Sequence, residues 1–230
     1  MMREPKKKEA QALKKAGRGY DEEESYSWPT TRPGRYSRAM EEVTGLAAGA
    51  AGKELIVHLI GVGEGGGPQL REAISALRGK FGGNIEVHVT DRDKDFLQKA
   101  VGEAKAAFPT MAIVPHHTDI ISPSHTPVKQ ADITICTNVL SYADGRFRDV
   151  GFYNVASLMK KGGYLLVSST DAETSLPAAE FGLKELRRVD EPEQYRFDLG
   201  KKYTERGVIL QKVAHNANFD KIWKKLQVKE

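Results

Sequence analysis

The hexapeptide Gly61-Val62-Gly63-Glu64-Gly65-Gly66 follows directly on the apolar run Leu55–Ile60. Glycines at such a turn let the backbone take positive φ and let a ligand approach the main chain. Pro68 and a helical stripe of Leu70, Ile74 and Leu77 come next. A buried strand, a tight turn and a helix start, in that order, suit a nucleotide-type cofactor bound beside the end of a first parallel strand. Asp91 closes a second strand-like run, Val87-His88-Val89-Thr90-Asp91. A carboxylate there can accept hydrogen bonds from both hydroxyls of a ribose. The competing role is a helix N-cap, open to Asp91 or Asp93. Asp119 lies in His116-His117-Thr118-Asp119-Ile120. It can accept from an adenine amino group while Ile120 packs on the ring, or it is an ordinary loop carboxylate.

The elements that must position these groups alternate regularly. Strands are expected at Leu55–Ile60, Ile85–Thr90, Met111–Pro115, Ile133–Thr137 and Tyr164–Ser169. Helices are expected at Pro68–Arg78, stopped by Gly79, at Lys94–Phe108, and around Arg146–Met159, stopped by Gly162-Gly163. Tyr36, Met40, Val43 and Ala47 mark a helix ahead of the first strand. This order predicts a mostly parallel sheet covered on both faces. Leu183–Val189 and Val208–Val213 then read as strands separated by a polar stretch, Asp190–Arg206. Without a crossover helix they must pair antiparallel.

Residues 1–33 are polar and charged and read as a flexible segment in which Tyr26 and Trp28 stand out, followed by a domain over 34–214. Phe219, Ile222, Trp223 and Leu226 place an amphipathic helix within 215–230. The 230 residues suffice for one sizeable core, and no apolar run approaches the roughly 18 residues of a membrane span. A secretory signal is not legible and there is one cysteine, Cys136, so a cytoplasmic protein without internal disulfides is expected. The net charge of +4 permits an acidic partner without demanding one. The lysine-rich ends read as solvated tails. His116, His117 and His125 lie close together, but their spacing fits no structural zinc pattern, and no metal is expected. Cys136, inside an apolar strand, reads as an inert core residue.

The glycine turn fits both the Gly-x-Gly-x-x-Gly of NAD-binding proteins and the Gly-x-Gly-x-Gly of S-adenosylmethionine-binding proteins. Two further segments separate them. One is Ala131-Asp132-Ile133-Thr134-Ile135-Cys136-Thr137-Asn138-Val139-Leu140-Ser141-Tyr142, and the other is Leu158-Met159-Lys160-Lys161-Gly162-Gly163-Tyr164-Leu165-Leu166-Val167. In order and spacing, residues 54–214 resemble the class I S-adenosylmethionine-dependent methyltransferases. The segments are most similar to those of the chemotaxis-receptor glutamate methyltransferases, on Gly65 with Pro68, Asp91-Arg92-Asp93 and Cys136-Thr137-Asn138-Val139-Leu140-Ser141-Tyr142. Thr137 stands where that family has arginine, and its N-terminal helical domain is largely missing. Leu59 stands where the wider family often has an acid, so Glu64 or a carbonyl near Gly61 must replace that anchor.

The resemblance implies a Rossmann-like, doubly wound α/β fold with a seven-stranded sheet ending in an antiparallel pair. It implies S-adenosyl-L-methionine as cofactor, held by Gly61, Gly63, Glu64, Gly65, Asp91, Arg92, Asp119, Ile120, Asn138 and Val139. Methyl transfer by in-line displacement rests largely on positioning. Tyr142, Asn138 and Tyr36 are the candidate catalytic residues, and aromatic faces suit a cationic sulfonium. The acceptor is expected to be a small molecule or a protein side chain, with RNA less favoured: neither Asn-Pro-Pro-Tyr nor a Lys-Asp-Lys-Glu set is present. The 171–179 loop and the N-terminal segment are expected to shape its pocket. An NAD(P)-dependent oxidoreductase and a non-catalytic binding module on the same fold are the alternatives. The first lacks a visible Tyr-x-x-x-Lys pair.

Overall fold

Runs of β-branched and leucine residues, bounded by glycine, asparagine and aspartate, build the strands. The helices between them each bury one apolar stripe. The computed structural model describes residues 35–50, 54–62, 68–82, 84–122, 129–140, 143, 145–174, 178–196 and 201–215. The 1–33 segment, with Tyr26 and Trp28, and the helix expected from Phe219 to Leu226 lie outside them. In chain order the elements are α1 (Ser37–Ala47), β1 (Leu55–Ile60), α2 (Pro68–Phe81), β2 (Ile85–Asp91), α3 (Lys94–Ala107), β3 (Ala112–His117) and β4 (Ala131–Cys136). They continue with α4 (Gly145–Ser157), β5 (Met159–Ser168), α5 (Ser169–Thr174), β6 (Leu183–Asp190), β7 (Gln194–Arg196), β8 (Lys201–Tyr203) and β9 (Arg206–Lys212).

Seven strands form one sheet in the order β3-β2-β1-β4-β5-β9-β6. The first five run parallel, and β9 lies antiparallel between β5 and β6. This is the expected architecture. The order reverses between β1 and β4, which opens a crevice at their carboxyl ends. On one face α1, α2 and α3 pack through Met40, Val43, Leu70, Ile74, Leu77, Leu97 and Val101 onto Val57, Leu59, Val87 and Ile135. On the other, α4 packs Phe152 and Val155 against Leu165, Val167 and Val208, with the Phe181 ring edge-on to Phe152.

Several expected boundaries move, each for a physical reason. Helix α2 runs through Gly79 to Phe81, and Gly82, at φ 71°, is the residue that ends it. Its N–H caps the Arg78 carbonyl at 3.0 Å. Gly162-Gly163 does not end α4, because the chain enters β5 at Met159, which pairs with Ala131. The glycine pair instead absorbs an irregularity inside that strand: Gly162 has φ 87°, and a Cβ on Gly163 would lie 3.0 Å from the Ala131 carbonyl oxygen. The polar stretch 190–206 contains the β7–β8 hairpin. The 171–179 stretch begins within α5 and ends in a 3-10 turn, Ala178–Phe181.

Helix α1 is fastened from a distance. Tyr36 provides no side-chain cap. Instead the buried Glu191 carboxylate accepts the main-chain N–H groups of Arg38 (3.0 Å) and Ala39 (2.8 Å). A carboxylate at a helix N-terminus satisfies orphan donors and complements the macrodipole. Lys212, at the far end of β9, donates to the Ala156 and Phe181 carbonyls. Burial pushes its ammonium down to about 8.

Under β1–β3 the face opposite α1–α3 is polar. His58, His88 and His116 sit on three adjacent strands, with the His88 and His116 rings stacked 5.0 Å apart and hydrogen-bonded at 2.8 Å. His58 bonds Thr90, His88 bonds Glu86, and Glu86 meets Lys129. Burial, reinforced by His88, holds His116 below the ordinary imidazole range. A depressed folded-state value makes the unfolded chain the better proton binder, so stability falls as pH drops below about 6.5. Thermal melts between pH 7.5 and 5.5 are expected to show this decline, and His116→Gln to flatten it. An unchanged slope in the variant would remove the histidine stack as its cause.

Candidate active site

The carboxyl ends of β1, β2 and β3 converge on Asp91. Its Oδ2 accepts the Val62 N–H at 2.7 Å and its Oδ1 accepts the Asp93 N–H at 2.8 Å. Its carbonyl accepts the Thr118 N–H at 3.1 Å. One side chain and its own peptide thus tie together the segments after β1, β2 and β3. The helix-cap role falls to Asp93, which accepts from the N–H groups of Asp95 and Phe96. Asp91 therefore does not cap α3. A carboxylate offers about four lone-pair sites, and the main chain uses two here.

Gly61 has φ 79°, and a Cβ there would lie 2.5 Å from Cγ2 of Val139. Glycine is required twice over, for the left-handed backbone and for contact between the segments after β1 and β4. Leu59 is buried among apolar side chains on the α1–α3 face. Gly63, Glu64, Gly65 and Tyr142 lie outside the described residues.

Asp119 accepts the Ile121 N–H at 3.1 Å. Burial holds its carboxyl above the usual range; Arg92 opposes this and Asp91 adds to it. Ile120 is buried among the α4-side apolar residues. Asn154 on α4 donates to the Ile120 and Ser122 carbonyls at 2.7 and 2.9 Å. Arg148, on the same helix, donates to the carbonyls of Leu140 and Ala143. Helix α4 thus fixes the segments after both β3 and β4, a task the sequence reading did not assign to it. A lone asparagine on an apolar helical face was the available signal. His117 bonds the Arg92 carbonyl, and His125 lies outside the described residues. Among the described residues no cluster of His, Cys, Asp or Glu has metal-binding geometry.

Two candidate catalytic residues meet. Asn138, beyond β4, is the only non-glycine with positive φ among the described residues, at 55°. Asparagine tolerates this region better than most residues. Its Nδ2 donates to the Tyr36 hydroxyl at 2.6 Å. Tyr36 in turn donates to Oε2 of Glu205 at 3.2 Å, and Arg35 pairs with Oε1 of the same carboxylate. Tyr36 is buried in the core beside α1, so its hydroxyl orients neighbours and its ring packs. Arg35, Glu205 and Glu191 escaped the sequence reading because their partners are more than 150 positions away.

No protein-family model matches the chain, and no curated protein matches it in sequence. Solved structures do resemble it. The N-methyltransferase NodS from Bradyrhizobium japonicum WM9, in complex with S-adenosyl-L-homocysteine, is 16% identical at a TM-score of 0.54, covering 88% of this chain and 97% of that one. Magnesium protoporphyrin IX methyltransferase from Synechocystis PCC 6803, with bound S-adenosylmethionine, is 16% identical at 0.55, covering 77% and 79%. The [4+2]-cyclase SpnF is 13% identical at 0.52, covering 77% and 83%.

Gly61→Ala forces a side chain into left-handed backbone and against Val139. A loss of about 2–4 kcal/mol is expected, from strain and overpacking combined. Urea denaturation measures it, and a loss under 0.5 kcal/mol would mean the two loops do not meet. From its sheet order and its antiparallel β9, the chain has the Rossmann-like fold of S-adenosylmethionine-dependent methyltransferases.

Proposed function

We propose that the protein is an S-adenosylmethionine-dependent methyltransferase acting on a small-molecule or protein acceptor. The observation that carries this reading is the position of Asp91, at the switch-point crevice with two lone-pair sites left for a ribose. The residues fit the cofactor. Gly61 and Val62 leave main chain close by, Asp91 suits the ribose hydroxyls, and Asp119 with Ile120 suits the adenine. Asn138 and Val139 would hold the methionyl end. Gly63, Glu64, Gly65 and Arg92 complete the set that the resemblance implies. From the chemotaxis-receptor likeness we keep this binding scheme and not the glutamate substrate.

When bound, the sulfonium offers its methyl group to a nucleophile on the far side. The chain's own contribution is to hold the two reactants in line. Asn138, fixed by Tyr36, presents its backbone at the crevice, and Tyr142 follows it in the chain. Helix α4 keeps the segments after β3 and β4 from shifting. RNA is a less favoured acceptor. No helix of the described residues is long and apolar enough to cross a membrane, and a cytoplasmic location is part of the proposal.

A second reading has support from one neighbour: a [4+2]-cyclase shares the fold, so the fold allows chemistry other than methyl transfer. The buried Leu59, in place of an acid, fits a divergent cofactor anchor. The NAD(P) reading is weaker, since the dinucleotide-binding order 3-2-1-4-5-6 has no antiparallel strand inserted before its last.

Thermal melts with S-adenosylhomocysteine and with NADH separate these readings. A rise of several degrees with the first and none with the second is expected. Stabilisation by NADH alone would reverse the assignment. Asp91→Ala removes charge-assisted hydrogen bonds worth about 1.5–3 kcal/mol and is expected to weaken S-adenosylhomocysteine binding roughly 10–100-fold. Titration calorimetry on folded variant reads this. Unchanged affinity would take Asp91 out of the cofactor site. Labelled methyl donor incubated with cell extract, then separated by size class, identifies the acceptor class.

A further inference from the structure

Glu205, Tyr36 and Asn138 form a hydrogen-bonded chain whose direction is set by the groups in it. Oε1 of Glu205 accepts Nε and Nη2 of Arg35, at 2.8 and 2.5 Å. Oε2 lies 3.2 Å from the Tyr36 hydroxyl, and the Asn138 amide lies 2.6 Å from the same hydroxyl. A carboxylate only accepts, and a phenol has one proton to give. That proton goes to Oε2, since an ionised oxygen is a stronger acceptor than an amide oxygen. The Tyr36 oxygen must then receive its own bond from Asn138, and Nδ2 is the end of the amide that carries hydrogen. The reversed amide would set two oxygens against a single proton, leaving one of them unsatisfied.

The chain is held at both ends. The Glu205 carbonyl accepts the Glu191 N–H at 2.9 Å. Gly207 has no Cβ; one placed there would lie 2.5 Å from that of Ala39, so the start of α1 can rest against β9. Asn138 has left-handed backbone, at φ 55°, and its N–H reaches Oγ of Ser168 at the end of β5, at 3.4 Å. Such backbone outside glycine is costly and concentrates at functional sites.

What the chain leaves over is the amide oxygen. Oδ1 of Asn138 takes no bond among the described residues. Asn138 is half-buried, and Oδ1 is not sealed from solvent as Nη1 of Arg35 is. It belongs to the switch point, because the next residue, Val139, closes on the turn after β1 at Gly61. Asn138 follows β4, two strands from the β2 that carries Asp91, a separation of roughly 10 Å at about 4.8 Å per strand. With the ribose at Asp91 and the adenine at Asp119, the methionyl end of the cofactor falls to the segment after β4. That end carries an ammonium and a carboxylate. A fixed oxygen attracts the first and repels the second.

We infer that Glu205, acting through the Tyr36 hydroxyl, is a positioning residue that turns the Asn138 amide oxygen toward the methionyl ammonium of the cofactor. This rests on the methyltransferase reading and adds to it the contact that selects the amino end.

Calorimetry on the 230-residue chain with four ligands tests it. They are S-adenosylhomocysteine, the same molecule without its amino group, the same molecule without its carboxylate, and 5′-methylthioadenosine, which lacks both. Asn138→Gly keeps the left-handed backbone and removes the amide. It is expected to weaken the two amino-bearing ligands roughly tenfold, the worth of one hydrogen bond to a charged group, and to leave the other two within twofold of wild type. Tyr36→Phe keeps the ring and frees the amide to turn, and Glu205→Gln offers Tyr36 a donor in place of an acceptor. Both are expected to give the same pattern at smaller size. Losses confined to the two carboxylate-bearing ligands would put Nδ2 on the carboxylate and overturn the inference. Equal losses on all four ligands would make the chain a structural support alone, and unchanged affinities in Tyr36→Phe and Glu205→Gln would remove the relay; either result overturns it. If wild-type protein binds neither S-adenosylhomocysteine nor methylthioadenosine, the methyltransferase reading itself has failed.

Discussion

The Asp91 carboxylate is the constraint on which the crevice depends. It accepts one main-chain N–H from the turn after β1 and one from the turn after β2, and its peptide oxygen holds the segment after β3. These strand ends would otherwise expose unpaired donors at a buried edge. Bonding them to a single ionised acceptor is stronger than pairing each with a neutral one. The same carboxylate keeps about two further lone-pair sites beyond the two main-chain bonds it accepts. On the proposed function, building the site and serving it fall to one side chain, and substitution there is expected to disturb stability and ligand affinity together.

Around that point the structure uses long-range anchors more than local ones. Glu191 caps α1 from the far end of β6. Asn154 and Arg148 reach from α4 to the segments after β3 and β4. Tyr36 joins Asn138 to Glu205 across the end of β5. Each anchor fixes a loop that carries a candidate site residue. Loops held in this way stay in place before any ligand arrives, which is what catalysis by positioning requires.

Much of this was legible in the chain because the signals are local. The apolar run before Gly61 and the alternation of Ile85, Val87 and Val89 mark strands, and the absence of a helical stripe between β6 and β9 marks an antiparallel pair. The seven-stranded sheet was implied only by the family resemblance, and the strand order comes from the structure. Asp91 could be placed because it ends a strand. What the sequence concealed follows from the same logic. Gly79 and Gly82 are chemically alike, and only the packing of Leu77 and Phe81 decides which one ends α2. Gly162-Gly163 looks like a helix stop until Met159 is seen paired with Ala131. The buried polar stack His58-His88-His116 alternates like any strand face, and nothing nearby in sequence says that three strands bring it together. Arg35 and Glu205 meet only because β9 turns back beside β5.

The hydrogen bonds of the polar histidine face and of the buried Lys212 show that parts of this fold are held by polar contacts rather than by oil-like packing. Such contacts are demanding, since each buried group needs its partner. Lys212 sits away from the crevice, at the far end of β9, whereas the histidine face reaches Thr90, the residue before Asp91. The most direct test of the account is a crystal structure of the protein with S-adenosylhomocysteine. Both ribose hydroxyls within hydrogen-bond distance of the Asp91 carboxylate, with the Val62 and Asp93 amides still in place, is the expected result. A nucleoside bound elsewhere, or a crevice closed by the protein's own side chains, would contradict it.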